Sequence, residues 1–271
     1  MEFLSALSEF RFLQHAVLAC VLASIGCGVI GSFIVVKRIS FLTGGIAHSV
    51  LAGMGAAYFY SASPLIGAIV AAVISGLLIG WIHLQHKEQE DVLIAAFWSC
   101  GMAIGILFLS VTPGYNVDLM SYLFGNVLLI SVNDLIMMLV LDILIIGICF
   151  IFYKQLLASV FDEEFARLRG INTHFYYLLL LCLISLSVVL LIQLVGVIMV
   201  IALLTLPAAI ANQYTRSLHK MFVIAALICL VLSLSGLMIS FEPDLPAGSV
   251  IVLLTCISYF LSLFFRKKAY T

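Results

Sequence analysis

Two side chains stand out as able to do chemistry, because each sits deep in an apolar stretch where a polar group is costly. His48 lies in RISFLTGGIAHSVLAGMGAA, about seven residues from the start of its apolar segment, which at the helical rise puts it on the order of 10 Å deep. A neutral imidazole there could bind a borderline metal ion, or hydrogen-bond to a neighbouring helix. Asp142 is central in another segment, with Met138 and Cys149 on its face at helical spacing. It reads as a pathway ligand or proton site, or as a protonated residue held inside a bundle. His83, His86 and Glu90 recur at i, i+3 and i+7, so one helical face could present all three if the helix runs on that far. His15, His174 and His219 lie at segment boundaries, where amphipathic rings commonly rest.

The seven cysteines (Cys20, Cys27, Cys100, Cys149, Cys182, Cys229 and Cys256) form no CxxC pair or loop cluster. They read as small apolar packing residues rather than a disulfide frame. The longest charged loop, KQLLASVFDEEFARLRGINT at 154–173, sets Asp162, Glu163 and Glu164 before Arg167 and Arg169, with apolar Phe161, Phe165 and Leu168 among them. Acids first and bases last suit the dipole of a short helix, and Gly170 can end it. The mixture of acidic and aromatic residues suits a partner's surface.

The elements that must carry these residues follow from composition. The chain has 271 residues, 65% apolar and 9% charged, with a mean hydropathy of +1.28. Soluble domains carry about 25% charged residues, so this chain cannot cover a water-facing surface. A net charge of −1 argues against a nucleic-acid surface. The start, MEFLSALSEFRF, lacks the basic region of a cleavable signal. Nine apolar segments stand at roughly 12–36, 41–60, 64–83, 92–111, 134–153, 174–192, 194–211, 218–240 and 248–265. Backbone groups in hydrocarbon must be satisfied internally, so the segments are expected as helices. The expectation is an all-α integral membrane protein, a single domain over 1–271 with about nine (8–10) spans. Segment 117–131 is about half a membrane long and reads as re-entrant or interfacial. Gly76 with Gly80 and Gly101 with Gly105 have the GxxxG spacing that lets helices approach closely. The glycines of the second segment and Pro207 of the seventh mark places where a helix could break or kink.

Of the 12 Lys and Arg residues, only Arg11 falls on one side of this arrangement. The other side holds Lys37, Arg38, Lys87, Lys154, Arg167, Arg169, Arg216, Lys220, Arg266, Lys267 and Lys268. The excess of basic residues predicts the N-terminus outside and the C-terminus in the cytoplasm. The opposite loops carry Glu2, Glu9, Asp118, Asp134, Glu242 and Asp244. No GxxxxGK[ST], HExxH or GxSxG is present, so the chain is not expected to bind ATP through a phosphate loop or to act as a metalloprotease or serine hydrolase. A pore or carrier energised from elsewhere remains.

Five stretches in order resemble the membrane permeases of the zinc/manganese/iron ABC importers, the ABC-3 family: GSFIVVKRISFLTGGIAHSVLAG (31–53), VDLMSYLFGNVL (117–128), FDEEFARLRGI (161–171), VGVIMVIALLTLPAAIAN (195–212) and DLPAGSVIVLL (244–254). The resemblance covers about residues 10–265. It implies the helical fold of the vitamin B12-type (type II) importers and a bacterial cytoplasmic-membrane location. The implied partners are cytoplasmic ATPase subunits that use the ATP, an external metal-binding protein and a second permease copy, with Zn2+ or Mn2+ as cargo and no permanent cofactor. Residues 161–171 would be the coupling helix. Many members carry GDxxxH in the first stretch; here the matching positions are Gly44 and His48, so the carboxylate is missing. Passage would then rest on His48 with residues such as Asp142 or Asp244, and Asp244 could equally cap the helix beginning near Gly248. The expected function is import of a divalent transition metal, against a secondary carrier that uses Asp142 for protons or ions and an intramembrane enzyme built on His48 and Asp142.

Overall fold

The computed structural model describes residues 6–7, 9–85, 90–112, 125, 127–197, 199–215, 217–243 and 245–264. Among them the regular structure is entirely helical. The helices are α1 Arg11–Lys37, α2 Ser40–Phe59, α3 Pro64–Gln85, α4 Glu90–Val111, α5 Val132–Ile151, α6 Tyr153–Phe161, α7 Glu163–Leu168, α8 Thr173–Val195, α9 Val200–Tyr214, α10 Leu218–Phe241 and α11 Ala247–Phe264. A 3-10 turn, Val127–Leu129, precedes α5.

Each of the nine apolar segments yields a helix, but the span count is lower than expected. Seven described helices are long and apolar enough to cross a membrane. The two left out are α2, whose glycines, Ser40, Thr43, His48 and Ser49 dilute its hydropathy, and α9. The 15 residues of α9 reach only about 22 Å at the helical rise, short of the roughly 30 Å hydrocarbon core. The break also falls elsewhere. α2 is continuous through its glycines, whereas α8 runs on to Val195 and stops at Gly196, whose φ of 78° is left-handed. Pro207 sits inside α9, where its missing N–H frees a carbonyl one turn back. Of the expected re-entrant segment 117–131, the described residues show only the 3-10 turn and its flanks.

Hydrophobicity alone does not sort these helices, since all are apolar. Packing does. In α1 and α8 67% of the spanning window is buried, against 22–33% in the other spanning helices, so these two form the centre. On one flank α2 packs between α3 and α4; on the other α1 packs against α5, α9 and α10, with α11 outside α9 and α10. α8 joins the halves through α1, α2 and α3.

Helices of this kind associate through close approach rather than hydrophobic force, and small residues mark the seams. Gly76 and Gly80 of α3 face α8 at Ser185 and Leu181, while Gly101 and Gly105 of α4 face the α2 backbone at Ser49 and Leu51. A Cβ on Gly31 of α1 would fall on the Leu204 carbonyl oxygen of α9. Several buried hydroxyls are satisfied within their own helices: Ser32 donates to the Gly28 carbonyl (2.6 Å), Ser185 to Leu181 (2.8 Å) and Thr255 to Ile251 (2.7 Å), the local bonding available to Ser and Thr in a helix. The cysteines are all free; Cys20, Cys27, Cys149 and Cys229 are buried, and Cys100 is exposed. Asp134 proves to be a cap rather than loop charge. Its Oδ2 accepts from the Ser131 backbone (3.0 Å) while its own N–H donates to Ser131 Oγ (3.3 Å), the reciprocal capping box.

These contacts predict opposite outcomes for two glycines. Gly31→Val forces α1 off α9 and is expected to lower stability by about 1–3 kcal/mol, the usual scale of overpacking. Gly147→Ala, with nothing within 4 Å of the new methyl, should leave the melting temperature unchanged or raise it. Thermal unfolding of the detergent-solubilised protein reads both.

Candidate functional site

His48 projects from the middle of α2 and is 3% exposed, with its Nδ1 buried and without a hydrogen-bond partner. It is covered by Trp98 of α4, whose ring stacks on the imidazole at 4.0 Å between centroids and 16° between planes. The stack is set by how closely α4 lies on α2. Beside it a Cβ on Gly101 would come within 2.5 Å of Ser49 Cα and 3.0 Å of the His48 carbonyl, and Ser49 Oγ donates both to Gly45 O (2.7 Å) and across to Phe97 O (3.4 Å). One turn before His48, a Cβ on Gly44 would meet Ile201 Cδ1 at 2.8 Å and Trp98 Cζ3 at 2.9 Å. An aspartate at position 44, where the family resemblance would place one, would therefore have to displace the indole and Ile201.

Asp142 occupies a different neighbourhood. It is 2% exposed on the inner face of α5, and neither carboxylate oxygen has a hydrogen-bond partner among the described residues. Gly26 of α1 gives it space: a Cβ there would stand 3.0 Å from Oδ1. An unpaired carboxylate so placed costs several kcal/mol if ionised. α2 and α5 share no appreciable packing, so His48 and Asp142 do not converge, and among the described residues no three His, Cys, Asp or Glu side chains gather into a metal cluster.

The remaining candidates separate as well. Asp244 and His86 lie outside the described residues. The face expected of His83, His86 and Glu90 falls partly on residues 86–89, outside the described residues; His83, near the end of the described α3, lies 5.3 Å from the Tyr177 ring. His174 Nε2 is 3.3 Å from Arg167 Nη2, and His219 Nδ1 is 3.1 Å from the Tyr153 hydroxyl. His15 is half-buried on α1.

The charged segment after α5 folds as two short helices, α6 and α7. Asp162 caps α7, its Oδ1 accepting from the Phe165 N–H at 2.9 Å, with Glu163 and Glu164 in the first turn and Arg167 in the last. Gly170, at φ 76°, ends it: its N–H donates to Arg167 O (2.9 Å) and that of Ile171 to Ala166 O (3.0 Å), the paired bonds of a Schellman motif. Ala166 is buried beneath, while Phe161, Phe165 and Leu168 are exposed, Leu168 at 87%. Arg169 lies over the Phe165 ring at 5.0 Å, and Arg167 Nε donates to Thr173 Oγ1 (3.1 Å). Lys37, the last residue of α1, binds this unit to the bundle. Its Nζ pairs with Glu163 Oε1 at 2.9 Å and donates to Ser159 O at 3.3 Å. A groove of about 550 Å3 runs alongside, between Tyr153, Leu157, Phe161, Phe165, Leu218 and His219.

Known proteins repeat this arrangement from end to end. The sequence pattern of the ABC 3 transport family matches residues 9–266. This chain belongs to that family. An uncharacterised membrane protein of Synechocystis sp. is 42% identical over 259 residues, 96% of this chain and 92% of the relative. The manganese transport system membrane protein MntC of Halalkalibacterium halodurans is 35% identical over 266 residues, 98% of this chain and 91% of the relative. Among solved structures, PsaBC from Streptococcus pneumoniae, determined with a Fab, superposes with a TM-score of 0.89 at 32% identity, covering 98% of this chain and 96% of that one. The chain is thus a multi-pass ABC-3 permease, with the all-helical fold of ABC transporter permeases.

Two features of this ABC-3 permease escape a reading of the sequence. Trp98 is one of only two tryptophans, but nothing local says that α4 will lay it on α2. Lys37 reads as one more basic residue after a span, and its partner is 126 positions away. A double-mutant cycle on Lys37→Met and Glu163→Gln is expected to return a coupling of about 0.5–1 kcal/mol, the upper part of the range for partly exposed pairs. Thermal unfolding measures it, and zero coupling would remove the pair as a brace.

Proposed function

We propose that this ABC-3 permease is the membrane subunit of an ATP-driven importer that carries Mn2+ into the bacterial cytoplasm, with Zn2+ and Fe2+ as lesser cargoes. The observation that carries the reading is likeness along the whole chain, to MntC in sequence and to PsaBC in structure. Manganese leads because MntC is named for it; a lone imidazole would also accept zinc.

Within that reading the roles divide between two ends. His48 is the polar stop for the cargo at membrane depth, and its unpartnered Nδ1 supports this. Asp142 is a second polar group that the cargo meets at a separate place, and Asp244 belongs to the outer entrance that an external metal-binding protein would serve. The α6–α7 unit, within 154–173, is the contact for cytoplasmic ATPase subunits. Its exposed Phe161, Phe165 and Leu168, ringed by Asp162, Glu163, Glu164 and Arg167, form a small apolar surface with a charged rim, the usual make-up of a docking patch, and Gly170 holds its end. ATP itself is used by the partner. A second permease copy completes the pathway, with the N-terminus outside and the C-terminus in the cytoplasm.

The test is reconstitution of the chain with its ATPase and binding protein in proteoliposomes. ATP-dependent Mn2+ accumulation is expected, and its absence for every divalent metal would overturn the reading. His48→Ala should cut uptake by about tenfold or more, the scale seen when metal-site groups are removed, with ATP hydrolysis retained. The unpaired Asp142 favours one alternative, a proton-coupled carrier; uptake by the chain alone under a pH gradient would decide for it.

A further inference from the structure

His48 is buried, yet what buries it lies at the edge of the molecule. Trp98 is only half-buried, and it belongs to the outermost of the spanning helices: 22% of the α4 window is covered, and α4 packs almost wholly on α2. A single indole therefore separates the imidazole from the outer surface of the chain. Among the described residues the ring is held by stacking and has no hydrogen bond, so it can leave by rotation of its own side chain without unseating a helix. Space is arranged for it as well. Position 44 carries no side chain, and any Cβ there would press on the indole edge and on Ile201. The backbone near-contacts at Gly101 fix α4, so the movable part is the ring and not the helix.

We propose that Trp98 is a gate on the His48 site, an aromatic lid whose rotation uncovers Nδ1 for a divalent cation and whose return closes the path behind it. The inference rests on His48 being the cargo's stopping point. It explains why a buried ring nitrogen without a partner is tolerated: the nitrogen is unpaired only while the lid is shut. It also assigns Gly44 a role, since clearing that position lets the lid lie flat.

The test uses the full chain labelled with 5-fluorotryptophan and assembled with its unlabelled ATPase and binding protein. The chain has two tryptophans; the Trp98 resonance is the one lost in Trp98→Phe, and Trp81, exposed on α3, is the internal control. Paramagnetic Mn2+, added under conditions in which the complex takes it up, is expected to broaden the Trp98 line strongly and the Trp81 line little. The selective broadening should vanish in His48→Ala and in the gentler His48→Asn. Equal broadening in both His48 variants, or none in the parent, overturns the gate. In proteoliposomes loaded with Mn2+ and lacking ATP, Trp98→Ala should leak several-fold faster than the parent, whereas Trp98→Phe keeps a flat ring and stays tight; a Trp98→Ala variant no leakier than the parent also overturns it. Failure of the complex to import any divalent ion defeats the proposed function itself. Import with a Trp98 line indifferent to Mn2+ defeats the gate alone.

Discussion

The constraint on which everything else depends is the absence of water in the hydrocarbon layer. Every backbone N–H and C=O must find its partner inside the chain, which makes each apolar segment a helix before any tertiary contact forms. The same absence removes the hydrophobic contrast that would push helices together, so association depends on how closely backbones can come. Where glycine meets backbone, as at Gly31 against Leu204 and Gly101 against Ser49, helix positions are fixed tightly. Ser32, Ser185 and Thr255 bond back to their own helices and ask nothing of a neighbour. The bundle is thus held by shape, and its few polar groups without partners stand out.

Two of those groups, His48 and Asp142, have contrasting surroundings. Asp142 lies against α1, one of the two most buried helices, facing a glycine that does no more than make room. His48 lies under a peripheral helix and a ring that can move. An uncompensated group deep in a packed core changes its exposure only if helices part, which disturbs many contacts at once. One beneath a stacked side chain changes its exposure at the cost of a single ring contact, on the order of 1 kcal/mol. This difference in the cost of access, more than ligand chemistry, favours His48 over Asp142 as the proposed stop for the cargo.

Much of this was legible in the sequence. Length and apolarity located nine of the eleven described helices, and acids, bases and Gly170 foretold a short helix that the structure places at Glu163–Leu168. Local pattern was enough because those features are local: a dipole, a cap, a left-handed residue. The span count went astray because hydropathy does not reveal that α9 is too short to cross alone, nor that Gly196 ends α8. Trp98 over His48 was invisible for a deeper reason. The pair is set by the crossing of α2 and α4, a relation between residues about 50 positions apart along the chain that composition does not encode.

The two ends of the molecule are connected by α1, and that connection gives the salt bridge a meaning beyond its small energy. Lys37 is the last residue of α1, and Arg38 after it turns left-handed at φ 62° to start the chain toward α2. A force on α7 is thus delivered through Glu163 to the end of a rigid central helix, and through the short 38–39 connection to the helix that carries His48. An exposed ion pair contributes little to stability, but as a tether its length matters more than its energy: at 2.9 Å it leaves no slack between the short helix and α1. Close packing at Gly31 then passes any tilt of α1 on to α9, whose Ile201 lies at position 44 beside the indole. A push on the α6–α7 unit therefore reaches the surroundings of Trp98 by two routes, one along the chain into α2 and one through packing into α9. Both arrive at the indole stacked on His48, the side chain proposed as its lid.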